Sequence, residues 1–345
     1  MLRYFGFSGC LTIAAIVVAF IFFGPAGAIS AAILIAIEIA FSFDNAILNA
    51  KILHRLPSLW RKLFLTVGML IAILGMRFIF PIAIVAVTAH LKWTTVIDDA
   101  LHHPSVYAAH LHGAHASIAA FGGAFLLTLT LYFFLDHKRE IVWLGRFERS
   151  LQSLKGAIWI APALGFIAVG ATALVAGEER AVVIRAGLTG VLSYVVMKLF
   201  IDGLGRLTGQ DNQQMYSGWG ALLAFMYLEL LDASFSFDGV LGAFAITDKV
   251  ILIALGLGVG AIWVRSLTVY LVEKGTLSEY IYLEHGAHYA IFVLAVALLA
   301  GILFEIPDAV TGIAGLGVIG ASYLASREVI RAKTKAIVKA SSVGA

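Results

Sequence analysis

Charge is what this 345-residue chain has least of: 13% of its residues are Asp, Glu, Lys or Arg, against 61% hydrophobic. Soluble domains carry about 25% charged residues, and the mean hydropathy here is +0.96. A soluble globular domain is excluded, and the chain reads as an all-α polytopic membrane protein. Cysteine is nearly absent, and the one thiol, Cys10, excludes a disulfide framework or a thiolate metal cluster within one chain. No glycine-rich phosphate loop occurs, so neither a nucleotide nor another organic cofactor is expected. Gly122-Gly123, Gly256, Gly258 and Gly260 fit close helix packing instead. A net charge of +3 gives no reason to expect a nucleic-acid partner.

What the chain has in abundance is apolar runs. A spanning helix needs about 20 apolar residues, which predicts ten spans, at 8–23, 28–52, 63–89, 114–135, 157–176, 181–201, 217–246, 250–272, 286–304 and 308–325. Lys and Arg gather on alternate connections and set the orientation. Lys51, Arg55, Arg61 and Lys62 follow the second span, and Lys138, Arg139, Arg146, Arg149 and Lys155 follow the fourth. Arg331, Lys333, Lys335 and Lys339 form a basic tail, 327–345. The connections 24–27 and 302–308 have none, and 90–113 has Lys92 alone. Both termini are therefore expected on the cytoplasmic side of the plasma (inner) membrane. Met1 to Ala28 has the layout of a signal peptide, but an even number of spans requires the first helix to be retained.

Acids inside these runs stand out. Glu38 precedes Phe41-Ser42-Phe43-Asp44-Asn45 in the second run, and Glu229 and Asp232 precede Phe235-Ser236-Phe237-Asp238-Gly239 in the seventh. A charge at bilayer depth costs at least about 2.5–3.5 kcal/mol, so five acids in two matching segments need a partner. Clustered carboxylates bind cations, which points to a transported divalent metal. The purely structural alternative pairs them with Arg77 and Arg265, yet two arginines cannot neutralise five acids. We expect the arginines to balance charge and position some of the carboxylates when the ion is absent.

The chain also repeats itself in order: Asp44 matches Asp238, Arg77 matches Arg265, and His112-Gly113-Ala114-His115 matches His285-Gly286-Ala287-His288. Five spans separate the copies, so they would cross in opposite senses, an inverted repeat with its site at the midplane. The expected halves are 1–176, with motifs 38–45 and 112–115, and 177–326, with motifs 229–239 and 285–288. At about 100° per residue, Glu38 and Asp44 differ by about 240° around a continuous helix, and Glu229 and Asp238 by about 180°. Discontinuous helices, broken near Asp44-Asn45 and Asp238-Gly239, would let all of them face one ion and free backbone carbonyls. The paired histidines His112, His115, His285 and His288 read either as a metal path or proton relay or as interfacial residues at helix starts.

These motifs resemble the TerC family of integral membrane proteins and, within it, the branch known as DUF475. The resemblance covers nearly the whole chain and is most specific at Glu38 to Asn45 and Glu229 to Asp238. TerC-like proteins are linked to tellurium resistance and to manganese efflux. The resemblance thus implies that Glu38, Asp44, Asn45, Glu229, Asp232 and Asp238 line a metal path. Gly239 departs from the family, many members of which have Ser there. The expected activity is export of Mn²⁺, a substrate ion, by alternating access, with proton exchange because close carboxylates cannot all stay ionised once the metal leaves. A non-transporting scaffold or metal-delivery partner is the alternative. An intramembrane aspartyl protease using Asp44 and Asp238 would leave Glu38, Glu229 and Asp232 unexplained, so no enzyme activity is expected.

Overall fold

The computed structural model describes residues 2–343 except 90, 155, 208–214, 245, 248, 275–279, 305 and 307. Among the described residues every regular element is helical. The apolar runs dictate this, because in hydrocarbon each backbone N–H and C=O must be bonded within its own segment. Among the described residues eight helices are long and apolar enough to cross a membrane. Their outward faces carry large apolar side chains such as Phe20, Ile21 and Phe22, 55–74% exposed, as expected where the solvent is lipid.

Helix α1 (Leu2–Phe41) joins the first predicted span to the first part of the second. The expected loop at 24–27 is instead a bend: Gly24 has φ 70°, a conformation that costs glycine little, and Pro25 follows it. After a turn at Ser42 the chain continues as α2 (Phe43–His54). Next, α3 (Ser58–Leu70) passes without interruption into a π-helix (Ile71–Ile79) and then α4 (Phe80–Thr88).

The connection read as loop, 90–113, holds two further helices, α5 (Trp93–His102) and α6 (Pro104–Gly113). Val96 and Ala100, one turn apart on α5, share a buried cluster with Tyr107 and Leu111 of α6 and Val85 of α4. The segment was missed because its apolar stripe is only two turns long and the rest is polar.

There follow α7 (His115–Phe134), α8 (Arg146–Gln152), α9 (Ala157–Val175), α10 (Arg180–Leu207) and α11 (Gly218–Phe244). The last three helices are α12 (Val250–Lys274), α13 (Leu283–Gly301) and α14 (Asp308–Val343). The main core draws Ala46 to Leu48 from α2, Phe125 and Leu126 from α7, Val264 from α12 and Ala287, Ala290 and Ile291 from α13. The two sequence halves therefore share one core. Close approach comes through glycine: a Cβ on Gly256 of α12 would sit 2.6 Å from Leu34 Cβ, and one on Gly260 would sit 2.5 Å from Glu38 Cβ. These contacts press α12 against α1 at the level of the first acid.

Candidate functional site

Glu38 lies on the last turn of α1 and is 3% exposed. Its Oε1 accepts hydrogen bonds from Arg77 Nη2 and, at 3.0 Å, from Ser42 Oγ. Arg77 is carried by the π-helix, whose wider turn changes the direction in which side chains leave the helix. Such segments recur at functional sites. Ser42 is the turn between α1 and α2, yet helical bonding runs through it: Ser42 N–H donates to Glu38 O at 3.0 Å and Ala46 N–H to Ser42 O at 3.1 Å. The expected discontinuity thus stands two residues before Asp44 and is a kink that frees neither of these carbonyls. Asp44 then falls in the first turn of α2, buried, where its Oδ1 accepts from the Asn45 N–H at 2.8 Å. A carboxylate suits that position, since the helix N-terminus carries partial positive charge.

The second motif corrects the expectation of a break. α11 runs unbroken from Gly218 to Phe244 through Asp238-Gly239. The turn preference of an Asp-Gly pair is local, and continuous i to i−4 hydrogen bonding in an apolar setting outweighs it. The Asp238 side chain lies outside the described residues.

Glu229 and Asp232 are both buried on α11, facing Arg265 of α12. Arg265 Nη2 stands 3.4 Å from Asp232 Oδ2 and 3.7 Å from Glu229 Oε1. The same guanidinium donates to Phe64 O at 2.7 Å and Gly68 O at 2.9 Å, and it lies 3.9 Å over the Phe64 ring. Gly68 is required for this arrangement, because a Cβ there would meet Glu229 Oε1 at 2.3 Å and Arg265 Nη1 at 2.9 Å. The two motifs touch directly: Asn45 Nδ2 donates to Asp232 Oδ1 at 2.6 Å.

The structure thus brings Glu38 to Arg77, and Asp232 and Glu229 to Arg265, with Asn45 bridging to the second group. Glu229 and Asp232 share one guanidinium, but among the described residues no three His, Cys, Asp or Glu side chains are grouped so as to hold a metal ion. Among the described residues four carboxylates and two guanidiniums are buried here, so two negative charges would be left over with all four carboxylates ionised. Among the described residues Asn45 Oδ1, Asn49 Oδ1 and both carboxylate oxygens of Glu229 are buried and accept no hydrogen bond. Buried acceptors are ordinarily bonded, so these oxygens are places where a cation or proton would bind. Asn49 was missed by the sequence reading. Its signal was there, an Asn four residues after Asn45 on the same face of an apolar helix.

The histidine tetrads lie apart from this network. α7 and α13 pack antiparallel: His115 Cε1 is 3.9 Å from where a Cβ on Gly301 would sit, and the Phe133 ring stacks on His288 at 3.5 Å between centroids. Twenty residues of α7 at about 1.5 Å each place the tetrads at opposite ends of the pair. His112 is exposed and His115 half-buried, whereas His285 and His288 are buried. His285 Nε2 donates to Ile141 O at 2.9 Å and lies 3.4 Å from Glu148 Oε2, while His288 Nδ1 donates to Glu284 O at 2.8 Å. His285 thus ties the start of α13 to the connection after α7 and to α8, His288 packs against α7 itself, and no described contact links any of the four histidines to Glu38, Asp44, Glu229 or Asp232.

A family model described as "Protein of unknown function (DUF475)" matches residues 43–334. No curated protein and no solved structure matches the chain.

Proposed function

The chain belongs to the DUF475 family, and we propose that it transports a divalent cation across the membrane, with Glu38, Asp44, Glu229 and Asp232 as carboxylate ligands and Asn45 as an amide-oxygen ligand. The observation that carries this reading is the charge balance of the buried network, four described carboxylates against two guanidiniums. One divalent cation would cancel the difference. In the absence of the ion, Arg77 and Arg265 act as tethered counter-charges for Glu38 and for Asp232 and Glu229. For the ion to bind, these pairs must loosen and the Asn45 amide must turn its oxygen inward. That rearrangement is the coupling between binding and alternating access in this proposal.

Asp238 joins the set on the strength of its motif alone. The inverted-repeat reading is supported by an acid–arginine pair within each half, Glu38 with Arg77 and Asp232 with Arg265, and by the antiparallel α7 and α13. An all-oxygen donor set suits Mg²⁺, Ca²⁺ or Mn²⁺ and not zinc. With the histidines outside the network, the choice of Mn²⁺ and of export rests on the resemblance to TerC proteins. Protons would exchange for the ion, because ligand carboxylates bind one or the other.

The test is flux of Mn²⁺, Mg²⁺ and Ca²⁺ in proteoliposomes. Asp44→Asn and Asp232→Asn should abolish flux, while Asp98→Asn on the exposed face of α5 should leave it intact. Absence of flux for all three ions in wild type, with no binding either, would sink the proposal. Binding without flux would favour a metal-delivery role.

A further inference from the structure

Asn49 stands outside the ligand set proposed above, yet it continues the line on which that set lies. At about 100° per residue, Glu38, Ser42, Asn45 and Asn49 fall within about 60° of one another, because helical bonding continues through the kink at Ser42. All four are buried. The next position on this stripe, Leu53, is apolar and packs with Leu56, Phe64 and Leu228, each at most 2% exposed. A polar stripe thus runs from Glu38 along α2 and stops at an apolar plug, one turn beyond Asn49.

α11 runs antiparallel to α2 along this stripe. Asn45 Nδ2 donates to Asp232 Oδ1 at 2.6 Å, Leu53 shares its cluster with Leu228, Ala224 and Ala221, and Tyr216 N–H donates to Arg55 O at 2.9 Å. Asn49 therefore lies about 6 Å along α2 from Asn45, and Glu229 about 4.5 Å along α11 from Asp232, in the same direction. The two side chains share one level, between the Asn45–Asp232 bond and the plug. Asn49 Oδ1 and both Glu229 carboxylate oxygens are buried there and, among the described residues, accept no hydrogen bond. Gly68 keeps this level clear on the α3 side, where a Cβ would stand 2.3 Å from Glu229 Oε1.

We propose that Asn49 Oδ1 and the Glu229 carboxylate form a second cation station, one turn beyond Asn45 and Asp232 and directly before the apolar plug. The inference rests on the transport reading and divides its ligand set in two. Carboxylate and amide oxygens suit a hard divalent ion such as Mg²⁺, Ca²⁺ or Mn²⁺. One carboxylate with one neutral amide holds it less tightly than a group of acids does. A route needs such a step, because an ion must bind firmly enough to enter and weakly enough to leave. The plug is tied to the station through Arg265, which faces Glu229 while donating to Phe64 O and lying over the Phe64 ring. An ion taken up by Glu229 loosens that hold. An asparagine kept for packing alone would be better replaced by leucine, its near-isostere, since a buried acceptor without a donor is costly.

The experiment uses the full-length protein, with Mn²⁺ flux measured in proteoliposomes and Mn²⁺ affinity by calorimetry in detergent. Asn49→Leu removes the amide oxygen at similar volume. It should slow flux about tenfold or more, the scale of one lost contact to a charge in a buried site, while affinity, set by Asp232 and its neighbours, changes less than about threefold. Asn49→Asp adds a second carboxylate to the station; it should bind Mn²⁺ about tenfold more tightly and also slow flux, because the ion then leaves reluctantly. Asn49→Leu with wild-type flux and an equal or higher melting temperature makes Asn49 a packing residue, and overturns the proposal while leaving the transport reading intact. A loss of affinity as large as that of Asp232→Asn puts Asn49 in the same coordination sphere and overturns the second station too. Should Asn49→Leu not fold, Asn49→Asp decides, and unchanged affinity refutes the station. Wild-type protein that neither binds nor transports the ion removes the transport reading and this inference with it.

Discussion

Replacing Arg265 by Gln asks whether a guanidinium holds the place of a cation. Arg265 is 5% exposed and meets two carboxylates, at 3.4 and 3.7 Å, and two backbone carbonyls, at 2.7 and 2.9 Å. Removing one partner of a buried ion pair costs about 3–5 kcal/mol, because the remaining charge is left uncompensated. Arg265→Gln should therefore lower the thermal midpoint of the detergent-solubilised protein sharply in the presence of a chelator. Asp232→Asn in the same chain removes one stranded charge and should recover part of the loss.

The distinguishing arm is the addition of Mn²⁺. A ligand at one hundred times its Kd stabilises by about 2.7 kcal/mol, so the ion should restore more than half of what Arg265→Gln loses. It should restore less in the Arg265→Gln/Asp232→Asn double variant. Tryptophan fluorescence during heating reads all four conditions. If no divalent cation restores Arg265→Gln, or if the double variant is restored equally, the guanidinium is a structural partner and not a stand-in for the ion.

Three further outcomes follow from other contacts. Gly260→Ala forces a Cβ to within 2.6 Å of Glu38 Cβ and Cγ; overpacking of this kind costs about 1–3 kcal/mol and should slow flux. Gly170→Ala, which meets nothing within 4 Å, should be neutral or stabilising, and equal melting of the two variants would contradict the packing of α12 on α1. Cation binding should weaken as pH falls and release at least one proton per ion, since protons compete for the ligand carboxylates. Calorimetry in two buffers of different ionisation enthalpy measures the count, and zero would remove the carboxylates from the binding site. Finally, Glu148 is fully buried, 3.0 Å from Arg139 Nη2, and accepts from Tyr289 Oη at 3.1 Å and Leu144 N at 3.2 Å. Glu148→Gln should cost about 3–5 kcal/mol in stability yet leave cation affinity unchanged, and altered affinity would place this cluster on the ion's route.

By itself the sequence determined that this is an all-α membrane protein and that Glu38, Asp44, Asn45, Glu229, Asp232, Asp238, Arg77 and Arg265 are charged or amide residues set inside its apolar helices. Both are local properties. The length of an apolar run decides spanning, and the cost of charge in hydrocarbon marks each exception. Tertiary structure decided which acid meets which arginine, that Asn45 reaches Asp232, and that the chain kinks at Ser42 while α11 runs straight through Asp238-Gly239. It also turned 93–113 into helices and left the histidine tetrads at opposite ends of α7 and α13, away from the acids. These outcomes depend on the rotation and separation of helices far apart in sequence. Contacts such as Gly256 on Leu34, Gly260 on Glu38 and Gly68 beneath Glu229 set both. A glycine in an apolar run says that something approaches closely, and only the packed helices say what.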